Sequence, residues 1–255
     1  MKSRFRESVR KSRKAIGLLK HRSFAKAMLI HRVAAATEHL SIIRICQPNT
    51  LVDAGANKGQ FSLAFRALRP NAQIVAFEPL PQAADRFEAL FAEDPLTQLQ
   101  RVALADTEGV AEFHVADKED SSSLLEPGEA QERAFGVRQA NTVQVPVKRL
   151  DTCVDLSALS HPILLKVDVQ GGEMGVFEGC DQLGLVDFID AELSFVELYT
   201  GQPLFEEVNA YLSRRGFKII GVFNQVSTNE FGPTQADVLF GRSEVADGQI
   251  ATYRP

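Results

Sequence analysis

The chain of 255 residues has little cysteine, no long apolar run and none of the short signatures that mark serine hydrolases or zinc peptidases. Cys46, Cys153 and Cys180 are scattered, odd in number and never paired as CxxC, and no secretory leader precedes them. That pattern excludes a disulfide framework and a structural zinc site, and it points to a reducing, cytoplasmic compartment. The three read as small apolar fillers. No apolar stretch approaches the roughly 20 residues needed to cross a bilayer, so a soluble protein is expected. GxSxG and HExxH are both missing. His21, His31 and His39 lie near the N-terminus, while His114 and His161 lie near an extra strand and a strand entry. None has a recognisable partner, and ordinary surface or boundary positions are expected for all five. No repeat or low-complexity tract is evident.

What is present is an ordinary globular composition, 45% hydrophobic and 24% charged, in a chain long enough for one large α/β domain plus an appendage. The net charge of −5 is unevenly divided. From Met1 to Arg44, 12 Lys or Arg stand against Glu7 and Glu38, a surplus of ten positive charges, which leaves −15 for the rest. Ile16, Leu18, Leu19, Phe24, Ala27, Met28, Ile30 and Val33 recur closer to a helix period than to strand alternation, so Lys14 to Ile45 reads as one or two amphipathic helices ended by Pro48. The expected division is a basic helical extension over residues 1–47 and a catalytic domain over 48–255. Such an arm suits an anionic partner through residues 1–44, either a membrane surface, a nucleic acid or an acidic subunit. It equally suits a solvated helix or one packed on its own acidic body. The oligomeric state is not legible.

Beyond Pro48, strand-like and helix-like segments alternate. Strands are expected at Thr50 to Asp53, Gln73 to Phe77, Leu99 to Leu104, Ile163 to Asp168 and Val186 to Leu193. Helices are expected from Lys58 to Leu68, Ala83 to Phe91, from Glu173 and from Phe205 to Arg214. Val110 to Val115 and Thr142 to Val147 read as extra strands. Between them, Asp117 to Asn141 shows no sustained period and reads as a lid over the active site. Phe217 to Phe223 and Ala236 to Phe240 form a closing pair. This is a doubly wound α/β fold.

Asp53-Ala54-Gly55-Ala56-Asn57-Lys58-Gly59 sits at the first strand-to-helix turn, and Glu78 closes the next apolar run. Glycines there allow positive φ and close backbone approach, and an acid ending the second strand can accept both ribose hydroxyls. A dinucleotide would want a third glycine and no acid at the turn; Asp53 repels pyrophosphate but suits a cationic sulfonium and amino group. The ligand that fits is S-adenosylmethionine, unless Asp53 merely caps the following helix. A nicotinamide-dependent oxidoreductase fits poorly, since the phosphate turn is incomplete and no proton relay is seen.

Acids also end later strands, at Asp106, Asp168 and Glu192. Alternation puts Lys166 and Asp168 on one face. Lys166 either pairs with Asp168 or Glu192 to organise the strand ends, or joins them in an acceptor site. In the second reading Asp168 takes or orients the acceptor's proton and Lys166 stabilises negative charge. Glu173 is either part of this site or a first-turn acid complementing its helix dipole. No clear metal ligand set appears.

The series LVDAGANKGQFS, VAFEPLP, VALAD, VKRLD, LLKVDVQGGE and AELSFVELYTGQPLF, over roughly Thr50 to Arg242, resembles the FkbM-type methyltransferases. The resemblance implies a Rossmann-like class I fold, with a mostly parallel seven-stranded sheet and a C-terminal antiparallel hairpin strand. It implies methyl transfer from S-adenosylmethionine to a hydroxyl of a sugar, glycan or natural product. By position, Asp53, Gly55, Ala56, Asn57 and Gly59 line the methionine side, Glu78 holds the ribose, and Ala105 with Asp106 lies near adenine. Asp168 faces the reacting centre, while Glu192 and Tyr199 border the acceptor. A noncatalytic nucleoside-binding protein of the same fold is the rival from another class. An RNA methyltransferase would use the arm, but the acidic body makes a poor phosphate track.

Overall fold

The computed structural model describes residues 22–243. The expectations for residues 14–21, and His21 with them, lie outside that range. The chain begins with α1 (Arg22–Ile30), a 3₁₀ turn (Thr37–His39) and α2 (Leu40–Cys46), then enters β1 (Thr50–Ala54). Gln47 closes α2 in the left-handed region, its N–H donating to the Ile43 carbonyl, and Pro48 prevents continuation. Next come α3 (Gln60–Leu68), β2 (Gln73–Phe77), α4 (Pro81–Phe91) and β3 (Thr97–Gln100). Pro81 opens α4 at a position where its missing N–H has no helical partner to lose.

β4 (Ala103–Leu104), β5 (Gly109–Ala116), α5 (Glu129–Phe135), β6 (Gln139–Lys148) and α6 (Leu150–Cys153) follow. The chain then returns through β7 (Ile163–Val167), α7 (Glu173–Glu178), β8 (Phe188–Ser194), α8 (Phe205–Arg214), β9 (Phe217–Thr228) and β10 (Gly232–Arg242).

Seven strands form one sheet in the order β3-β2-β1-β7-β8-β10-β9. β10 runs antiparallel to both β8 and β9, while the other pairings are parallel. Every residue of β1 and β7 is buried, as expected of central parallel strands covered on both faces. The expected strand from Leu99 to Leu104 is in fact two. Chain direction changes at Arg101, leaving β3 in the main sheet and β4 in a second sheet, ordered β4-β6-β5.

Two apolar layers cover the main sheet. On one face Leu51, Leu164, Phe188 and Leu239 pack against Phe61, Phe65 and Phe87, and also against Phe24, Ile42, Ile43 and Cys46. The described part of the N-terminal segment contributes Phe24, Ile42, Ile43 and Cys46 to this layer. On the other face Leu165, Ile189 and Val238 meet Phe177, Val208 and Leu212. A third cluster joins the small sheet to the start of α4 through Leu80, Phe113 and Val145. No helix among the described residues is long and apolar enough to cross a membrane.

Candidate active site

The first turn is built by two close approaches. A Cβ on Gly55, at φ 78°, would lie 2.0 Å from the Asp168 carbonyl oxygen, and one on Gly59, at φ 87°, would lie 2.9 Å from Phe91. Both glycines thus let the turn nest against β7 and α4. Asn57 is also left-handed, at φ 48°, and its N–H donates to Glu78 Oε2 over 2.9 Å. The Leu80 N–H donates to Glu78 Oε1 over 2.8 Å. Glu78 is buried, and burial pushes its carboxyl up to about 7 against the opposing pull of these two amides. Each oxygen keeps a lone pair for a further donor.

Asp53 lies beneath the turn and is wholly buried. Its Oδ2 accepts from the Ser62 hydroxyl at 2.6 Å, and its Oδ1 lies 3.4 Å from Lys166 Nζ. It does not cap α3, which follows Gly59. The Lys166 ammonium donates to the Gly55 carbonyl at 2.9 Å and stands 3.5 Å from Asp168 Oδ2. Burial opposes its charge, but Asp168, Asp53 and Asp190 outweigh it and raise its pKa. Lys166 is therefore a fixed cation joining the turn to the tips of β1 and β7.

Asp168 is the more open acid, its side chain 37% exposed. Gln170 links it to Glu192: the amide nitrogen donates to Asp168 Oδ1 at 2.7 Å and to Glu192 Oε2 at 2.8 Å. Gln235 donates to the other Glu192 oxygen at 2.6 Å. Burial, then the charges of Asp168, Asp237 and Glu173, push Glu192 well above the usual carboxylate range. Glu173 opens α7 and is also buried, its Oε1 accepting from the Val169 and Gly171 amides, and burial raises it to about 7. Tyr199 closes the group. Its hydroxyl lies 2.8 Å from Gln170 Oε1, 2.9 Å from the Ser121 carbonyl and 2.9 Å from Gln131 Nε2, the nitrogen donating to it.

The expected lid is a pinned strap holding a 3₁₀ turn and α5. Buried Ser123 donates to the Gln170 carbonyl at 2.7 Å, Pro127 bridges to Tyr199, and Lys58 pairs with Glu119 at 2.5 Å. Ala105 and Asp106 follow β4 and lie against α7. A Cβ on Gly179 would lie 2.1 Å from the Ala105 carbonyl oxygen, and Arg149 donates to the Asp106 carbonyl, so both sit at the junction of the small sheet and α7. A cavity of about 420 Å³ opens beyond Glu78, lined by Pro79, Leu80, Arg101, Glu119 and Val145. The structure therefore brings Asp53, Gly55, Asn57, Glu78, Lys166, Asp168 and Glu192 to one end of the sheet.

Sequence reasoning missed Gln170, Ser123, Gln131, Gln235 and His39. A left-handed Gln170 directly after Asp168-Val169 and before two glycines is the one local signal that could have drawn attention. His39 is a boundary residue, its side chain 17% exposed, but it has partners: it stands 3.5 Å from Asp190 and 3.6 Å from Asp237, edge-on to Phe61. Burial lowers its pKa, but Asp190 and Asp237 carry it up to about 9. His114 and His161 have partners too, in Gln139 and Asp187. Among the described residues, no three His, Cys, Asp or Glu side chains gather as metal ligands.

A family model described as the Methyltransferase FkbM domain matches residues 53–219, well over half the chain and all of the turn and strand tips above. The chain belongs to the FkbM methyltransferase family. It is similar to 2-O-methyltransferase NoeI of Sinorhizobium fredii, 32% identical over 60% of this chain and 66% of that protein, just short of two thirds. It is also similar to methyltransferase sdnD of Sordaria araneosa, 30% identical over 76% of this chain and 81% of that one. Among solved structures it is similar to TehB of Haemophilus influenzae, at 10% identity, TM-score 0.46, over 85% of this chain and 65% of that one. The FkbM match begins at Asp53 and leaves α1 and α2 outside, although both complete the core.

Proposed function

We propose that this FkbM-family protein is an S-adenosylmethionine-dependent methyltransferase whose acceptor is a hydroxyl on a sugar, glycan or natural product. The observation that carries the reading is the shared sheet end, where a half-satisfied Glu78 and the linked acids Asp168 and Glu192 flank one glycine turn. The residues fit such a donor. Glu78 has lone pairs for two ribose hydroxyls, and Asn57 Oδ1 is buried without a partner. Asp53, Glu78 and Asp168 outnumber the Lys166 set among them, and Lys58 of the turn is paired with Glu119, which favours a cation over a phosphate. When bound, S-adenosylmethionine supplies a methyl group on a positively charged sulfur.

What remains for the protein is to hold the acceptor and receive its proton. Asp168 Oδ1 accepts from Gln170 and Oδ2 lies 3.5 Å from Lys166, and each oxygen keeps a lone pair with which the carboxylate can receive the proton. Lys166 acts through Asp168 and the turn, since its ammonium is already engaged by Gly55, Asp53 and Asp168. Support for oxygen as the methylated atom comes from NoeI, which is named a 2-O-methyltransferase. Acids at the mouth also disfavour an RNA backbone.

Incubating the protein with methyl-labelled donor and extracts fractionated into glycan, lipid, small-molecule and RNA pools tests this reading. Label is expected in the glycan or small-molecule pool; label in RNA alone, or in no pool, would overturn it. Asp168→Ala is expected to reduce turnover on the labelled acceptor by on the order of a hundredfold or more while donor affinity changes less. Equal turnover would remove Asp168 from the chemistry.

A further inference from the structure

Two carboxyls brought together without a donor between them repel when both are ionised, which raises the pKa of one of them. Here Asp168 Oδ1 and Glu192 Oε2 both lie within 2.8 Å of a single nitrogen, Gln170 Nε2. The amide turns its nitrogen towards both carboxyls and its oxygen towards the Tyr199 hydroxyl. Gln170 reaches all three by adopting φ 59°, a conformation uncommon for a side-chain-bearing residue. Ser123 from the strap fixes that backbone through the Gln170 carbonyl, and Tyr199 is tied to the strap by Ser121 and Gln131.

We propose that Gln170 is a positioning residue of the acceptor pocket: its side-chain amide stands between Asp168 and Glu192, gives each a hydrogen-bond donor, and joins both to the covering strap. The proposal rests on the methyltransferase reading only in making Asp168 the base. The amide nitrogen donates to one oxygen of each acid. The Gln235 amide does the same for the second Glu192 oxygen. The charged and titratable groups facing this pair are Lys166 from β7, Glu173 from α7, Asp237 from β10 and Tyr199 from the loop after β8. Lys166 is the only cation of the set, and it lies on the Asp168 side. Loss of the amide therefore falls hardest on Glu192.

The test is a carbon-13 titration of protein labelled at the Asp and Glu carboxyls, with Asp168→Asn and Glu192→Gln assigning the two resonances. Gln170→Asn keeps an amide and tolerates the left-handed backbone but is one carbon too short to bridge. In it, the Glu192 step is expected to move up by about one pH unit or more, because the carboxyl loses a donor that favours its charged form. Gln170→Glu keeps the shape but replaces the donors with a third acid. That variant is expected to match the native melting temperature near pH 5 and to fall below it progressively as pH rises. Glu192 titrating as in the native protein in a folded Gln170→Asn variant, or a Gln170→Glu deficit independent of pH, would overturn the proposal. Calorimetry with S-adenosylmethionine on the same samples separates the two readings, because failure of the native protein to bind donor would sink the methyltransferase assignment while leaving the titration decisive for Gln170.

Discussion

At the scale of single residues, Glu78 does the most with the least freedom. Its carboxylate is fixed in plane by the Asn57 and Leu80 amides, and burial carries it up to about 7. Ribose hydroxyls need it as an acceptor on both oxygens, so the ionised form is the binding form. Below a value of about 7 that form becomes scarce. Affinity for S-adenosylmethionine should accordingly rise about tenfold from roughly pH 6 to pH 8, and Glu78→Ala should both weaken binding and flatten this dependence. Calorimetry across that range checks it, and an equally steep dependence in Glu78→Ala would remove Glu78 from the ribose contact. Glu78 was legible because an apolar run ends on it. Gln170 was not, since its partners lie at Asp168, Glu192 and Tyr199, and no local pattern records which side chains three strand ends and a loop will bring together.

At the scale of elements, legibility followed burial periodicity. β2 and α8 appear where the sequence placed them, since their apolar residues recur at the period of one element bounded by Pro70 and Asn71 or by Gly216. The third strand failed because Leu99 to Leu104 is continuous in composition but turns out of the main sheet at Arg101. The strap was legible only as an irregular segment. Its order comes from Ser123, whose hydroxyl meets carbonyls 46 and 47 positions away. The boundary near residue 47 rested on the end of a helix-period pattern at Pro48, and such a pattern does not record what the helix's apolar side packs against. Ile42, Ile43 and Cys46 face inward against α3 and the sheet. Ile43, 1% exposed, is the measure of this packing: Ile43→Ala should destabilise the protein by about 2–5 kcal/mol, against less than about 0.5 kcal/mol for a residue on a detached arm. Urea denaturation distinguishes the two, and a change of the smaller size would mean that α2 is not part of the cooperative unit.

At the scale of the whole molecule, one face of the sheet carries a row of charge from Asp53 through Lys166 and Asp190 to Asp237, with His39 set against its far end. This row and the strand-tip acids make stability depend on pH with one sign. Burial raises Glu78, Glu173 and Asp237 to about 7, so each binds a proton more tightly folded than unfolded. For an acid that means stability is lost as pH climbs from the unfolded value, 4.5 for Glu78 and Glu173 and 3.8 for Asp237, to about 7. His39, carried up to about 9 by Asp190 and Asp237 against its burial, contributes stability that is complete below 6.5 and lost as pH passes through 9. The two windows join. The ligand-free protein should therefore be most stable on the acid side of neutrality, with a melting temperature falling by on the order of 10 °C between about pH 5.5 and pH 9.5. His39→Gln should flatten the upper part of that fall and, because the imidazolium also holds the Asp237 carboxyl down, move the lower part to higher pH. A flat melting profile across the range would mean that the buried row is solvated in solution, and with it the sheet end that Asp53 and Lys166 hold in place for the first turn.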